Sequence, residues 1–237
     1  MQAVQSISVL EGEAILERRL MPTVHLPHLD PFMRVEHFFI EHGGFPNQPH
    51  HGFEGLFYLF SGELHHDDSL GNHEDIYAGG VELFNTGHGL LHAEMVESKA
   101  HGLRIWFDLP EHMKHSKPTY QKFDAEDIPL DATPNVIVRT VVGKGSPVET
   151  QVKAQVIDIT MGAKSVYMWN APEGVKGFVY VAVGQIRING KEVNTSEAMI
   201  FSAEATLPMI THTGARVIVC CGEPNGGDIE VPTSYAT

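Results

Sequence analysis

The arrangement of apolar residues along the chain constrains the fold more than any other feature. Short segments rich in Val, Ile, Phe and Tyr alternate with clusters of Gly, Asn, Asp and Pro, and helical periodicity is nearly absent. Apolar segments bounded by turn residues are typical of the strands of a β-sandwich or barrel. The sequence therefore predicts an all-β protein, with strands that include residues 56–60, 103–107, 178–183 and 215–219.

Length, charge and cysteine content exclude several classes of protein. The chain has 237 residues, which suffice for one large or two smaller β domains. Its formal net charge of −14 opposes binding to bare nucleic acid or to an anionic membrane, because both need a positive patch. The chain shows neither a transmembrane run nor a secretory signal pattern. Cys220 and Cys221 are predicted to be buried thiols of a core strand, and their low number indicates a cytoplasmic protein.

Two apolar segments resemble each other and indicate an internal repeat. Residues 56–64 and 178–186 each contain an apolar strand, a glycine turn, a polar residue and the start of a new strand. Between Glu111 and Pro134 the composition becomes charged and includes proline, which is typical of an interdomain linker. We therefore expect two β domains, residues 1–125 and residues 126–237.

Histidines are concentrated in the first of these domains. Of the 15 histidines, all but His212 lie in the first half. His92 and Glu94 are two positions apart, so on a strand their side chains face the same side and can reach one metal ion. The second half has no His-x-His or His-x-Glu pair, and we therefore expect its domain to lack metal ligands.

Several segments of the first half carry a resemblance to a known family. They are residues 49–54 (PHHGFE), 61–72 (SGELHHDDSLGN) and 86–95 (TGHGLLHAEM), with 29–32 (LDPF) and 103–110 (LRIWFDLP) as further matches. These segments resemble the signature sequences of the pirin family of cupins. The resemblance implies a bicupin, with two antiparallel β-barrels of jelly-roll type and one metal ion, usually iron, in the N-terminal barrel.

The resemblance also implies the metal ligands. Pirins usually hold the ion with three histidines and one glutamate, and His50, His92 and Glu94 occupy three of these four positions. At the fourth position this chain has Gln48, whose amide oxygen is a harder and weaker donor than an imidazole. The expected donor set is Gln48, His50, His92 and Glu94, with Fe²⁺ as cofactor and Mn, Ni, Cu or Zn as alternatives.

Gln48 leaves three alternatives open at this point. It either ligates weakly through its oxygen or holds a water ligand, which leaves an open coordination position. Alternatively, His42 or His51 replaces it, although His51 should face away from His50 on a strand. In the third alternative the site binds metal poorly and the barrel serves another purpose.

Other histidines and aromatic residues of this half are expected to be structural. His65 and His66, which precede two aspartates, are typical of a solvated polar turn. Phe53, Phe57 and Trp106 are predicted to pack in the core, because aromatic side chains on strands usually point inward.

The resemblance implies two functions of different classes. The first is a metal-dependent dioxygenase similar to quercetin 2,3-dioxygenases, acting on a small flavonol-like aromatic substrate, with Glu94 as ligand or as general base toward a substrate hydroxyl. The second is a regulatory protein, non-catalytic or redox-sensing, that acts through protein partners. The acidic charge suits protein contacts better than DNA contacts. A metal-free structural relic is a third alternative, which metal content distinguishes from the others.

Overall fold

The computed structural model describes residues 1–11, 14–202 and 206–230 of the chain. Within these ranges the regular structure consists of twenty strands and one 3-10 helix, Glu111–Met113. None of the described helical structure is long and apolar enough to cross a membrane. The all-β prediction is confirmed.

The strands follow one another with short connections. In chain order the first eleven are β1 (Gln2–Gln5), β2 (Ile7–Glu11), β3 (Ile15–Met21), β4 (Phe32–Ile40), β5 (Gly43–His50), β6 (Phe53–Asp68), β7 (His73–Tyr77), β8 (Val81–Asn85), β9 (Leu90–Val96), β10 (Ala100–Asp108) and β11 (Thr119–Phe123). The remaining nine are β12 (Leu130–Ala132), β13 (Val136–Val142), β14 (Ala154–Met161), β15 (Ser165–Asn170), β16 (Lys176–Ile188), β17 (Lys191–Asn194), β18 (Glu197–Ser202), β19 (Thr206–Thr211) and β20 (Ala215–Gly222).

These strands form two compact units, each built on a ten-stranded antiparallel sheet. The first unit, here called the N-terminal barrel, contains the described residues of 7–122 and of 225–230. The second, the C-terminal barrel, contains Phe123–Pro224 together with Met1–Ser6, because β1 pairs with β18.

The two sheets have the same topology. The strand order is β11-β8-β6-β10-β4-β3-β2 in the N-terminal barrel and β1-β18-β16-β20-β14-β13-β12 in the C-terminal barrel. Each long strand, β6 or β16, changes partners at a glycine with positive φ, Gly62 (82°) or Gly184 (83°). A Cβ atom at either glycine would lie 1.9 or 2.3 Å from a backbone oxygen of the neighbouring chain segment. The predicted internal repeat is confirmed, and the turn that it contains requires glycine.

The repeat also makes individual positions of the two barrels equivalent. The cross-strand pair Phe57–Glu82 of the N-terminal barrel corresponds to Val179–Met199 of the C-terminal barrel. Likewise, His66–Glu94 corresponds to Ile188–Met209, and Gln48–His92 corresponds to Trp169–Leu207.

Each barrel encloses its own hydrophobic core. Phe53, Phe57 and Trp106 are buried in the core of the N-terminal barrel, as predicted. Cys220 and Cys221 are buried free thiols on β20, which also agrees with the prediction.

The charged segment 111–134 contains the boundary between the two units, at Lys122 and Phe123, where an interdomain linker was expected. It supplies an edge strand to each sheet, because β11 lies beside β8 and β12 pairs with β13. The residues of β12 are exposed, and those of β11 are at most half-buried. Its charged composition therefore reflects the solvent-facing edge of two sheets.

Candidate metal centre

The four predicted ligands lie on two paired strands, β5 and β9. Gln48 is directly opposite His92, and alternate residues on a strand share a face, so His50 and Glu94 point to the same side. His50, His92 and Glu94 are buried, whereas Gln48 is half-buried. His51, which was considered as a replacement for Gln48, is exposed.

Three of these side chains form a continuous chain of contacts. His50 Nδ1 lies 2.7 Å from His92 Nε2, and His92 Nδ1 lies 2.5 Å from Glu94 Oε1. His92 thus presents a different ring nitrogen to each neighbour. His50 Nε2 and Glu94 Oε2 are buried without a hydrogen-bond partner. Unsatisfied buried polar atoms are costly, so a cation would stabilise either atom. In the described structure, however, His50, His92 and Glu94 do not offer one ligand atom each within 4.8 Å of one another.

Aromatic rings surround the two histidines. The ring of Trp106 lies 4.9 Å from that of His50 and stacks on Phe53 at 4.3 Å between centroids. Phe84 lies 4.3 Å from His92. These rings lower the local dielectric constant, which strengthens any electrostatic interaction at the site.

A second buried group adjoins Glu94. Among the described residues, His66, Glu82 and Glu94 form the only set of three or more His, Cys, Asp or Glu whose ligand atoms all lie within 4.8 Å of one another. His66 Nδ1 lies 3.2 Å from Glu82 Oε2 and 3.4 Å from Glu94 Oε1. All three side chains are fully buried.

The prediction that His66 lies in a solvated turn was therefore wrong. β6 continues to Asp68, pairing with β7 on one side and with β9 on the other. Alternation along this strand leaves the side chain of His65 43% exposed and that of His66 0% exposed. The turn begins only after Asp68.

The sequence analysis also missed Glu82. It belongs to β8, whose five residues are all buried, and no motif surrounds it. The available signal was a single carboxylate between apolar residues of a strand, because such a residue is seldom buried without a partner or a ligand.

A network of buried charges on β3, β4 and β10 was missed as well. Arg104 donates to Glu17 at 2.6 Å and to Glu36 at 2.8 Å, and Arg34 donates to Glu36 at 2.8 Å. The Arg104 guanidinium lies 3.9 Å from the centroid of the Phe45 ring, at the edge of the core. Charged residues two positions apart on apolar strands were the signal for this network.

Burial and neighbouring charges shift the pKa values of the candidate ligands. Burial lowers the pKa of His50 to about 3, and His92 acts in the same direction. Burial opposes ionisation of Glu94, but His92 and His66 outweigh it and lower the pKa of Glu94 to about 2. At neutral pH His50 is thus neutral and Glu94 ionised, the protonation states that metal ligands need.

The second group has different electrostatics. Burial raises the pKa of the Glu82 carboxyl. Burial opposes protonation of His66, but Glu82 and Glu94 outweigh it and raise the pKa of His66 to about 11. The two carboxylates therefore favour positive charge at this position.

Comparison with known proteins identifies the family. Residues 15–107 match the family model for pirin, and residues 156–231 match the model for the pirin C-terminal cupin domain. The chain belongs to the pirin family.

Relatives and solved structures agree with this assignment. A Pseudomonas aeruginosa protein named "Putative quercetin 2,3-dioxygenase" is 29% identical over 235 residues, covering 90% of this pirin and 82% of that protein. A structure of quercetin 2,3-dioxygenase from Acinetobacter baumannii has a TM-score of 0.90 at 23% identity, covering 97% of this chain and 88% of its own. A bacterial pirin from Escherichia coli, solved in complex with nickel(II), has a TM-score of 0.79 at 18% identity, covering 94% and 99%. The structural likeness confirms the bicupin fold.

Proposed function

We propose that this pirin is a metal-dependent dioxygenase of the quercetin 2,3-dioxygenase type, acting on a small flavonol-like aromatic substrate. In this proposal residues 1–125 form the catalytic domain and bind Fe²⁺ through Gln48, His50, His92 and Glu94. Residues 126–237 form a domain that contributes no metal ligand. The observation that carries the proposal is the buried contact chain His50–His92–Glu94, which ends in two polar atoms without a partner.

These side chains fit a divalent ion in their chemistry. His50 Nε2 and Glu94 Oε2 are buried atoms that a cation would satisfy, and both residues have the protonation state of a ligand at neutral pH. A bound Fe²⁺ would supply Lewis-acid and redox chemistry toward substrate and O₂. The half-buried Gln48 stands at the edge of the set and, as a weak donor, leaves room for a substrate oxygen.

The protein's own groups would orient and deprotonate the substrate. In the proposal Glu94 either ligates the ion or accepts the proton of a substrate hydroxyl through Oε2, which is buried without a partner. The rings of Phe53, Phe84 and Trp106 exclude water from the histidines. Exclusion of water strengthens the attraction between a deprotonated substrate and the cation.

Iron content and oxygen uptake together test the proposal. The protein is loaded with Fe²⁺ under anaerobic conditions, its iron is measured by elemental analysis, and O₂ consumption is followed with quercetin. We expect bound iron and quercetin-dependent O₂ uptake, both lost in His92→Ala and both retained in His112→Ala, a control at an exposed histidine. A chain that stays iron-free would contradict the metal site. An iron-loaded chain that consumes no O₂ with any of a panel of flavonols would contradict the dioxygenase.

The second candidate is a non-catalytic or redox-sensing regulator that acts through protein partners in the cytoplasm. Gln48 is the observation that favours it, because both catalysis and redox tuning depend on ligand identity. Iron-loaded protein without turnover, but with a reversible change of iron oxidation state, would support this candidate.

A further inference from the structure

The buried group of His66, Glu82 and Glu94 shares only Glu94 with the donor set proposed above. We propose that these three side chains bind a divalent cation of the Mn²⁺ and Fe²⁺ class, and that they do so independently of His50. The inference does not depend on dioxygenase activity.

The distances within the group fit a shared ion. Metal–ligand bonds of about 2.1 Å place neighbouring ligand atoms roughly 3.0–3.4 Å apart in octahedral or tetrahedral geometry. His66 Nδ1 lies 3.2 Å from Glu82 Oε2 and 3.4 Å from Glu94 Oε1. In such a site each neighbouring ligand lies roughly 35–45° off the axis from nitrogen to metal, too far for a good hydrogen bond. Accordingly, His66 Nδ1 has no hydrogen bond of acceptable geometry to either oxygen.

The group also contains polar atoms that the protein leaves unsatisfied. His66 Nδ1, Glu82 Oε1 and Glu94 Oε2 are all buried without a hydrogen bond. Two buried carboxylates beside one imidazole cost several kcal/mol unless positive charge compensates them. Without metal, a protonated His66 supplies part of that charge. A divalent cation displaces this proton, supplies more positive charge and satisfies the imidazole nitrogen.

The surrounding residues hold His66 in the orientation of a metal ligand. Its other ring nitrogen, Nε2, lies 3.3 Å from Asp68 Oδ2. Asp68 is fixed in turn by three donors, the backbone N–H groups of Leu70 and Asn72 and the Asn72 side chain, at 2.8, 3.0 and 2.7 Å. A carboxylate that holds the second nitrogen of a ligating histidine is a recurrent feature of metal sites. Here it leaves Nδ1 directed at Glu82 and Glu94.

Tyr120 completes the site on the side of β11. Its ring stacks on that of His66 at 4.3 Å, and its hydroxyl donates to Glu82 Oε2 at 3.1 Å. One imidazole with two carboxylates is a harder donor set than a cluster of thiolates, which favours divalent ions such as Mn²⁺ or Fe²⁺ over Cu(I).

Mn²⁺ binding to the intact, metal-stripped chain tests the inference. Free Mn²⁺ is measured by electron paramagnetic resonance during titration of the wild type, Glu82→Gln, His50→Ala and Glu97→Gln, a control at an exposed carboxylate after β9. We expect Glu82→Gln to weaken Mn²⁺ binding at this site at least 100-fold, while Glu97→Gln leaves it within about threefold of the wild type. His50→Ala, which removes a ligand of the other donor set, should still bind one Mn²⁺.

Folding of the variants is checked by circular dichroism. If Glu82→Gln does not fold, Tyr120→Phe takes its place, and we expect a loss of about tenfold because only a supporting hydrogen bond is removed. Unchanged Mn²⁺ affinity in the folded variant overturns the inference. Loss of binding in His50→Ala also overturns it, because the ion would then depend on the other donor set. A chain that binds a single iron, consumes O₂ with quercetin and keeps the same metal content in Glu82→Gln would support the proposed function and reject this second site.

Discussion

One set of equivalent buried positions, here called the wall, carries polar side chains in the N-terminal barrel and apolar side chains in the C-terminal barrel. The positions of His66, Glu82 and Glu94 in the N-terminal barrel correspond to Ile188, Met199 and Met209 in the C-terminal barrel. All six side chains are buried. In the same way Gln48 and His92 correspond to Trp169 and Leu207.

This difference distinguishes the residues that folding requires from those that a binding site requires. The C-terminal barrel shows that the topology is complete with an apolar wall, so the imidazole and carboxylates are not required for folding. Burying such groups costs free energy unless they are compensated, and most of the buried ionisable side chains in the described chain lie in the N-terminal barrel. Their presence there supports the placement of the proposed metal site in that barrel.

The largest expected effect comes from placing one charge in the apolar wall. Met199→Glu introduces a carboxylate with no compensating group, and we expect it to lower the free energy of unfolding by about 4 kcal/mol. Met199→Leu conserves volume and should cost less than about 1.5 kcal/mol. Urea unfolding at pH 7 measures both. A Met199→Glu chain as stable as the wild type would mean that the two walls tolerate charge equally.

The next effect concerns the charge network of the N-terminal barrel. Glu36→Gln removes the charge that faces Arg34 and Arg104, and we expect a loss of about 3 kcal/mol. Asp158→Asn is the matched change in the C-terminal barrel, where Arg216 is 25% exposed, and should cost only about 1 kcal/mol. Urea unfolding at neutral pH compares the two variants. Equal losses would show that burial of the network does not matter.

Acidification should reduce the contribution of Glu36. Burial opposes its ionisation, but Arg104 and Arg34 outweigh burial and lower the pKa of Glu36 from 4.5 to about 2. A group with a lowered pKa in the folded state stabilises the fold above the unfolded pKa, and this contribution disappears as pH falls toward the folded pKa. The difference in unfolding free energy between wild type and Glu36→Gln should therefore shrink between pH 5 and pH 3. A constant difference would contradict this assignment.

Exchanging the walls should stabilise the N-terminal barrel. In the triple variant His66→Ile, Glu82→Met, Glu94→Met a buried charged cluster is replaced by the apolar residues of the other barrel. We expect a gain of about 2 kcal/mol when chelator is present, together with loss of metal binding. Thermal unfolding with and without Mn²⁺ provides both readouts. A less stable variant would show that the polar wall contributes to folding.

The smallest effect is expected at the edge of the donor set. Gln48→His replaces an amide oxygen by an imidazole, and we expect about tenfold tighter iron binding. Competition with a colorimetric chelator measures the change. Unchanged affinity would mean that Gln48 does not contact the ion.

Local patterns were sufficient for the all-β class and the internal repeat, whereas the bicupin fold came from the family resemblance, and neither revealed all of the candidate site. The strands, the repeat around Gly62 and Gly184 and the spacing of His92 and Glu94 are all encoded within a few residues. His66 was misjudged because two aspartates after it are typical of a turn, whereas pairing with β7 and β9 keeps it within a strand.

Glu82 and the arginine network could not be found in the same way. Their partners lie on other strands: Arg104 contacts Glu17 across 87 positions of sequence and Glu36 across 68. The local sequence shows which residues are charged, but only the register of the strands determines which of them come into contact.

The pairing of β1 with β18 has a consequence for how the protein is made. Gln2 meets Ile200, so during synthesis β1 leaves the ribosome long before the strand that it joins. Until then it presents unsatisfied backbone groups, which can also pair with β18 of another molecule. Crowded polysomes, where many copies emerge side by side, are therefore the setting in which exchange of this strand between molecules would occur.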